Sequence, residues 1–234
     1  MSIFETLTEK TKRNFPGYKF SWEIFTDIIL ENVATKPYWL DIGAGKNILI
    51  KEQPGANFSV GLDIIKENGL YNDHNTGAYV IANSSSLPFK DNSFEFITSR
   101  YTFEHLRQPQ KTLAEIHRVL KTDGSFAMQT TNKNSPLILL SRLVPFKIKR
   151  VLIRKFFKNA PSDTFETYYE MNTPAAIKSE NGSLRLEKLI LIEDLLCQSR
   201  FLYIGSMLIF RFMRFFHLEK YSNNMIAIYR KNGN

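Results

Sequence analysis

The chain has 234 residues, 43% of them hydrophobic, which is enough apolar material for the core of one α/β domain. Its 31 Lys and Arg against 23 Asp and Glu give a formal net charge of +8, while a lone Cys197 excludes an intramolecular disulfide framework and fits a reducing, cytoplasmic compartment. Met1 to Asn14 mixes acids and bases without an apolar core, so no secretory signal is expected, and no run of about 18 apolar residues offers a bilayer span.

In chain order, Phe20, Ile24, Ile28 and Val33 share a face and predict a helix near 20–34. Next, Tyr38-Trp39-Leu40-Asp41-Ile42-Gly43-Ala44-Gly45 reads as a buried strand near 38–42 that empties into a glycine turn, where backbone can approach a ligand because no Cβ stands in the way. A second apolar run near 58–62, Val60-Gly61-Leu62-Asp63, ends in a carboxylate about 20 residues later, where it can accept both hydroxyls of a ribose. A dinucleotide site would want another glycine at Ile48, and Asp41 would repel phosphates while suiting a cationic amine. The pattern therefore points to a ligand with ribose, adenine and an ammonium group. Further strands are expected near 79–82, 94–99, 125–131, 184–193 and 224–230, with a helix near 109–120 that Thr122-Asp123-Gly124 ends. Alternating strands and helices imply a parallel sheet covered on both faces.

Four ordered motifs now stand together. They are the glycine turn, Asn83-Ser84-Ser85-Ser86-Leu87-Pro88-Phe89 with the following Asp91 to Ile97, Glu104-His105-Leu106, and Leu113 to Lys121. In these the chain resembles the class I S-adenosylmethionine-dependent methyltransferases, particularly a small-molecule and glycan-cluster branch marked by Asp-x-x-x-Leu-Pro-Phe. The resemblance implies a Rossmann-like, seven-stranded, mostly parallel sheet with helices on both faces and a helical lid inserted after the fifth strand, all within one domain spanning 1–234. It implies S-adenosylmethionine as cofactor and S-adenosylhomocysteine as product. The cofactor contacts it implies are Asp41, Gly43, Ala44, Gly45, Asp63, Ile64, Asn83, Ser84, Ser99 and Arg100. Two departures from the family pattern bear on affinity: its third glycine falls at Asn47, and its acid before Leu-Pro-Phe is Asn83, which can accept from the adenine amino group only without charge. Residues 64–78, rich in Asn and Gly, lack helical periodicity.

The core motifs leave 132–181 unexplained, and insertions at this place in such enzymes cover the substrate. Residues 124–162 hold eight Lys or Arg and no acid, leaving 23 bases against 23 acids elsewhere. Lys147, Arg150, Arg154 and Lys158 form one helical stripe and Ile148, Val151, Leu152 and Phe156 another, with Pro145 placed to open the helix. Three readings stand: a solvated face of a lid, a contact with an anionic membrane surface, or a nucleic-acid site. The last is disfavoured because Phe146, Phe156 and Phe157 do not alternate along the basic stripe. Further on, Phe201, Ile204, Leu208, Phe212 and Phe215 recur at helical spacing and are expected to be core, with the surplus apolar residues of Phe201 to Phe216 packing against the insertion, lining a pocket or touching lipid.

Methyl transfer asks the protein mainly to align the nucleophile and exclude water. For an alcohol acceptor a proton must leave, and His105, just after the fourth strand, is the candidate base; its alternative role is to orient a turn or touch cofactor. His74, His117 and His217 are poorer candidates. Glu166, Tyr168 and Tyr169 offer a carboxylate and phenols for a polyol, or packing aromatics. No metal-ligand cluster is visible. The expected function is O-methylation of a sugar-like or lipid-linked small molecule, as in polysaccharide biosynthesis. RNA methylation, small-molecule N- or C-methylation, and a non-catalytic cofactor-binding domain are the alternatives.

Overall fold

The computed structural model describes residues 2–45, 49, 58–65, 78–143, 166–179 and 184–233. They group into two compact units interleaved along the chain. One comprises Phe25–Thr130, Thr167–Ile190 and Ile226–Asn234; the other comprises Met1–Ile24, Thr131–Glu166 and Leu191–Met225.

The first unit holds most of a seven-stranded sheet. Its strands are β1 (Tyr38–Ile42), β2 (Phe58–Asp63), β3 (Ala78–Ile81), β4 (Phe94–Arg100), β5 (Leu120–Thr131), β6 (Leu184–Ile192) and β7 (Asn224–Lys231), in the order β3-β2-β1-β4-β5-β7-β6. The pairs β1 with β2, β1 with β4, β2 with β3 and β4 with β5 are parallel. The seven-stranded, mostly parallel, Rossmann-like architecture expected from the sequence is the one found. Because its central strands are covered on both faces, they are apolar almost without interruption: Trp39, Leu40, Ile42, Val60, Leu62, Phe96, Ile97 and Phe126 are all buried. Each such side chain contributes on the order of 1.5–3 kcal/mol of burial.

One boundary differs from expectation. Helix α3 (Pro109–Val119) passes directly into β5 at Leu120, so Thr122-Asp123-Gly124 is a bulge inside a strand. Phe94 pairs with Leu120 and Phe96 with Ser125, and Asp123 takes a left-handed φ of 59° to let the extra residues loop out. Buried Leu113, Ile116 and Val119 give α3 its apolar face. Its other residues hold the Leu87-Pro88-Phe89 loop: Glu115 accepts from the Leu87 amide at 2.7 Å, and Arg118 donates to the Leu87 and Phe89 carbonyls and to Asp91.

The second unit is built from α1 (Ile3–Asn14), the start of α2 (Ser21–Val33), α4 (Pro136–Leu143) and α6 (Arg200–Phe215). Helix α5 (Pro174–Ser179) belongs to the sheet unit. Leu7, Phe20, Leu195, Cys197, Tyr203 and Phe210 form the core of the helical unit. Here an expectation fails. Phe201, Ile204, Leu208, Phe212 and Phe215 are exposed, and Tyr203, Ser206, Phe210 and Met213 are the buried face of α6. The buried face tolerates Ser206 because its hydroxyl bonds the Tyr203 carbonyl and receives the Leu196 amide. The basic stripe of Lys147, Arg150, Arg154 and Lys158 lies outside the described residues, as do Asn47 and Ile48. No helix among the described residues is long and apolar enough to cross a membrane.

Candidate active site

The carboxyl ends of β1, β2 and β4 assemble the first part of the site. Beyond Ile42 the chain turns through Gly43, whose φ of +73° and contacts both require glycine: a Cβ there would lie 1.9 Å from the Thr102 hydroxyl. The Gly43 and Ala44 amides donate to the Leu62 carbonyl at 2.7 and 3.0 Å. Gly45 also has positive φ, +50°, but among the described residues nothing stands within 4 Å of where its Cβ would be. Its amide donates to Asp63 Oδ2 at 2.8 Å and its carbonyl accepts from the Tyr79 hydroxyl at 2.9 Å. The other Asp63 oxygen accepts from the amides of Ile64 and Ile65. Ile64 itself is 58% exposed, an apolar surface beside that carboxylate.

Asp41 is buried at the end of β1. Its Oδ1 accepts from the Thr98 hydroxyl at 2.7 Å, which in turn accepts from the Trp39 indole at 2.8 Å. Burial pushes the Asp41 carboxyl up to about 7; the Thr98 hydrogen bond and the charge of Arg100 oppose the rise, and Asp63 adds to it. Ser99, one strand over and in register with Ile42, is fully buried, and its hydroxyl has no hydrogen-bond partner among the described residues. Open space at Gly45, an orphaned hydroxyl at Ser99, an exposed apolar side chain at Ile64 and two carboxylates at strand ends fit a nucleoside that carries a cationic amino-acid arm.

Two expected contacts have other partners. Asn83 Oδ1 accepts both the amide and the hydroxyl of Ser85, closing an Asx turn, so the end of that side chain left over is its NH₂. The Ser84 hydroxyl is bonded to Thr112 on α3 at 3.1 Å, which leaves its backbone as the part available to a ligand.

A second cluster lies at the ends of β4 and β5, also within the sheet unit. Tyr101 has a left-handed φ of 55°, its amide donates to the Gln129 carbonyl, and its hydroxyl receives the Gln129 side-chain amide at 2.9 Å. Glu104 Oε2 accepts from Thr130, whose hydroxyl receives the Asn172 amide. Glu104 Oε1 is 3.9 Å from His105 Nε2. The Tyr168 and Tyr169 amides both donate to the Glu104 carbonyl, at 2.8 and 3.2 Å, and the Arg107 guanidinium stacks 4.7 Å from the Tyr168 ring centroid. The structure thus gathers His105, Tyr168 and Tyr169, while Glu166 is exposed in the helical unit. Sequence reading missed Tyr101, Gln129, Thr130 and Asn172. The two left-handed tyrosines, Tyr101 and Tyr169, mark strain of the kind found at functional sites, and a sequence does not display it.

The methyltransferase-domain family matches residues 40–128, the stretch containing the glycine turn, Asp63, Ser99 and the Glu104-His105 pair. That match takes in the middle of the chain, and the fold around it is that of the class I S-adenosylmethionine-dependent methyltransferases. S-adenosylmethionine is the cofactor of this methyltransferase. Over 160 residues, 68% of this chain and 73% of the other, it is 26% identical to an uncharacterised protein of Methanocaldococcus jannaschii. Over 101 residues it is 34% identical to the uncharacterised methyltransferase YcgJ of Bacillus subtilis, an alignment that takes in 38% of either chain. Among solved structures, Haemonchus contortus phosphoethanolamine N-methyltransferase 2 in complex with S-adenosylmethionine shares the fold at a TM-score of 0.54 and 14% identity, over 90% of this chain and 53% of that one.

Proposed function

We propose that this methyltransferase acts on a hydroxyl oxygen of a sugar-like or lipid-linked small molecule, with His105 as the base. The observation that carries the reading is the Glu104–His105 pair set among uncharged hydroxyl and amide groups, those of Tyr101, Gln129, Thr130 and Asn172. Such groups suit neutral hydroxyls better than phosphates.

Bound S-adenosylmethionine supplies an electrophilic methyl group on a sulfonium sulfur. Asp63 would hold the ribose, Ile64 would cover the adenine, and the backbone from Gly43 to Gly45 would lie along the amino-acid arm, with Asp41, Ser99 and Arg100 at its charged end. Among these, Asp41 favours the ammonium group by charge, and the Ser99 hydroxyl gains the partner it lacks. Tyr168 and Tyr169 would contact the acceptor. The His105 imidazole would take the acceptor proton as the acceptor oxygen bonds the methyl carbon and the carbon–sulfur bond breaks, and the Glu104 carboxylate would stabilise the resulting imidazolium. Such a base is worth about 10²–10⁴ in rate. The single, buried Cys197 supports a reducing, cytoplasmic location.

Incubation with a host metabolite and lipid extract and methyl-deuterated cofactor, followed by mass spectrometry, tests the reading. A labelled methyl ether on a glycan or lipid-linked hydroxyl is expected. Label on nitrogen, carbon or RNA would replace the acceptor, and cofactor binding without any product would leave a binding domain.

A further inference from the structure

The exposed stripe of α6 lies in the helical unit and supplies none of the residues described above for the methyltransferase site. At 100° per residue, Phe201, Ile204, Leu208, Phe212 and Phe215 fall within an arc of about 80°, and over 14 residues the stripe is about 21 Å long. They are between 57% and 85% exposed. The opposite face is already buried, with Tyr203 and Phe210 in the core of the helical unit and the Tyr203 hydroxyl bonded to Thr11 of α1. This helix therefore presents apolar side chains on both faces, only one of which folding uses. Five large apolar side chains in one exposed row mark an interaction surface rather than scattered exposure.

Two further observations say what it meets. From Leu195 to Leu218 the chain carries Arg200, Arg211, Arg214 and His217 and no acid, and on the helix the three arginines lie along one border of the stripe. Beside Leu208 and Phe212 lies an apolar cavity of about 400 Å³, whose wall continues through Ile209, Met213, Leu218 and Pro136. Pro136 opens α4, which exposes Leu139 and Leu140 as well. An apolar row, a cationic border and a hydrocarbon-sized recess describe a helix that lies in a lipid interface, its rings among acyl chains and its guanidinium groups at phosphates. A second copy of the chain would bring arginine borders together with no acid in this segment to answer them.

We propose that α6 docks the protein on an anionic lipid bilayer and that the adjoining cavity receives an acyl chain from it. The proposal is independent of which acceptor atom is methylated.

Sedimentation with phosphatidylcholine vesicles, with and without phosphatidylglycerol, reads the interaction directly. Binding to the phosphatidylglycerol vesicles, weakened by salt and absent from pure phosphatidylcholine, is expected. The triple variant Phe201→Ser, Leu208→Ser, Phe215→Ser should lose at least tenfold in vesicle binding. It should keep its melting temperature and S-adenosylmethionine affinity, because those side chains are exposed. Arg211→Gln with Arg214→Gln should remove most of the salt-sensitive part. The proposal is overturned if the parent ignores both vesicles at low salt, or if the triple variant binds them as the parent does. A dimer that the triple variant dissolves would make the stripe a contact between copies instead. A lower melting temperature without any vesicle response would mean that it packs against this chain itself.

Discussion

The Gly45 amide donates to the Asp63 carboxylate at 2.8 Å, so the acid that ends β2 also fastens the glycine turn that ends β1. With the Ile64 and Ile65 amides, three of the roughly four acceptor positions of that carboxylate are engaged by backbone. The site is therefore held in shape by the same group that would meet the ribose.

Asp63→Ala should for that reason weaken S-adenosylmethionine by roughly 2–3 kcal/mol, the scale of lost charged hydrogen bonds, and also lower the melting temperature. Titration calorimetry and thermal denaturation report the two effects separately. Unchanged affinity in a folded variant would place the ribose elsewhere.

The two glycines should answer differently to the same substitution. Gly43→Ala drives a Cβ into Thr102 at a left-handed φ and should cost several kcal/mol of stability, whereas Gly45→Ala meets open space and should cost about 1–2 kcal/mol of backbone strain. In cofactor binding Gly45→Ala should lose at least tenfold, because the open space is where the ligand passes. Equal melting temperatures for the two variants would contradict this.

Asn83→Asp should tighten cofactor binding by about 1 kcal/mol, since a second carboxylate oxygen can reach the adenine amino group while the first keeps Ser85. Weaker binding would show that the adenine edge is read by another group.

His105→Ala should lower the turnover number by about 10²–10⁴ with little change in cofactor affinity. A purely orienting role would instead weaken binding, and single-turnover kinetics beside calorimetry separates them.

Burial raises Asp41 and Glu193 to about 7, above their unfolded values. Between pH 4 and 7 the folded chain holds protons that the unfolded chain has released, so the stability from these groups is full below pH 4 and is lost as pH rises through 7. A cation beside Asp41 favours its ionised form, so S-adenosylmethionine affinity should rise between pH 5.5 and 8, by up to about 30-fold. Asp41→Asn should flatten that profile and remove part of the stability loss. A pH-independent Kd in the parent protein would exclude Asp41 from the ammonium site.

The glycine turn, both strand-end carboxylates and the strand sequence were legible because each rests on local chemistry: an apolar run, a residue without a Cβ, a charge at a fixed distance. What was not legible depends on partners far away in the chain. The periodicity of α6 revealed an apolar face, but not that a second face, interrupted by Ser206, was the one buried. Asn83 stands at the family's acid position in the sequence, and only the fold shows its oxygen drawn to Ser85 in an Asx turn. The Ser2 and Glu5 capping box that opens α1 is written in the sequence, but the mixed charges of that segment mask the helix it begins. The Tyr101, Gln129, Thr130 and Asn172 cluster could not be foreseen, since these side chains come together only when the ends of β4 and β5 align and the 167–172 segment is tied to Glu104.

The sheet order sets a schedule for synthesis. β7 lies between β5 and β6 yet leaves the ribosome after both, so two strand edges wait, unpaired, for the segment that will separate them. Until Asn224–Lys231 arrives, β6 has no neighbour, and both edges are open to pairing with another nascent chain. Substitutions in β7, where Met225, Ile226, Ala227 and Tyr229 are fully buried, should lower the yield of folded protein in cells more than the activity of the molecules that do fold.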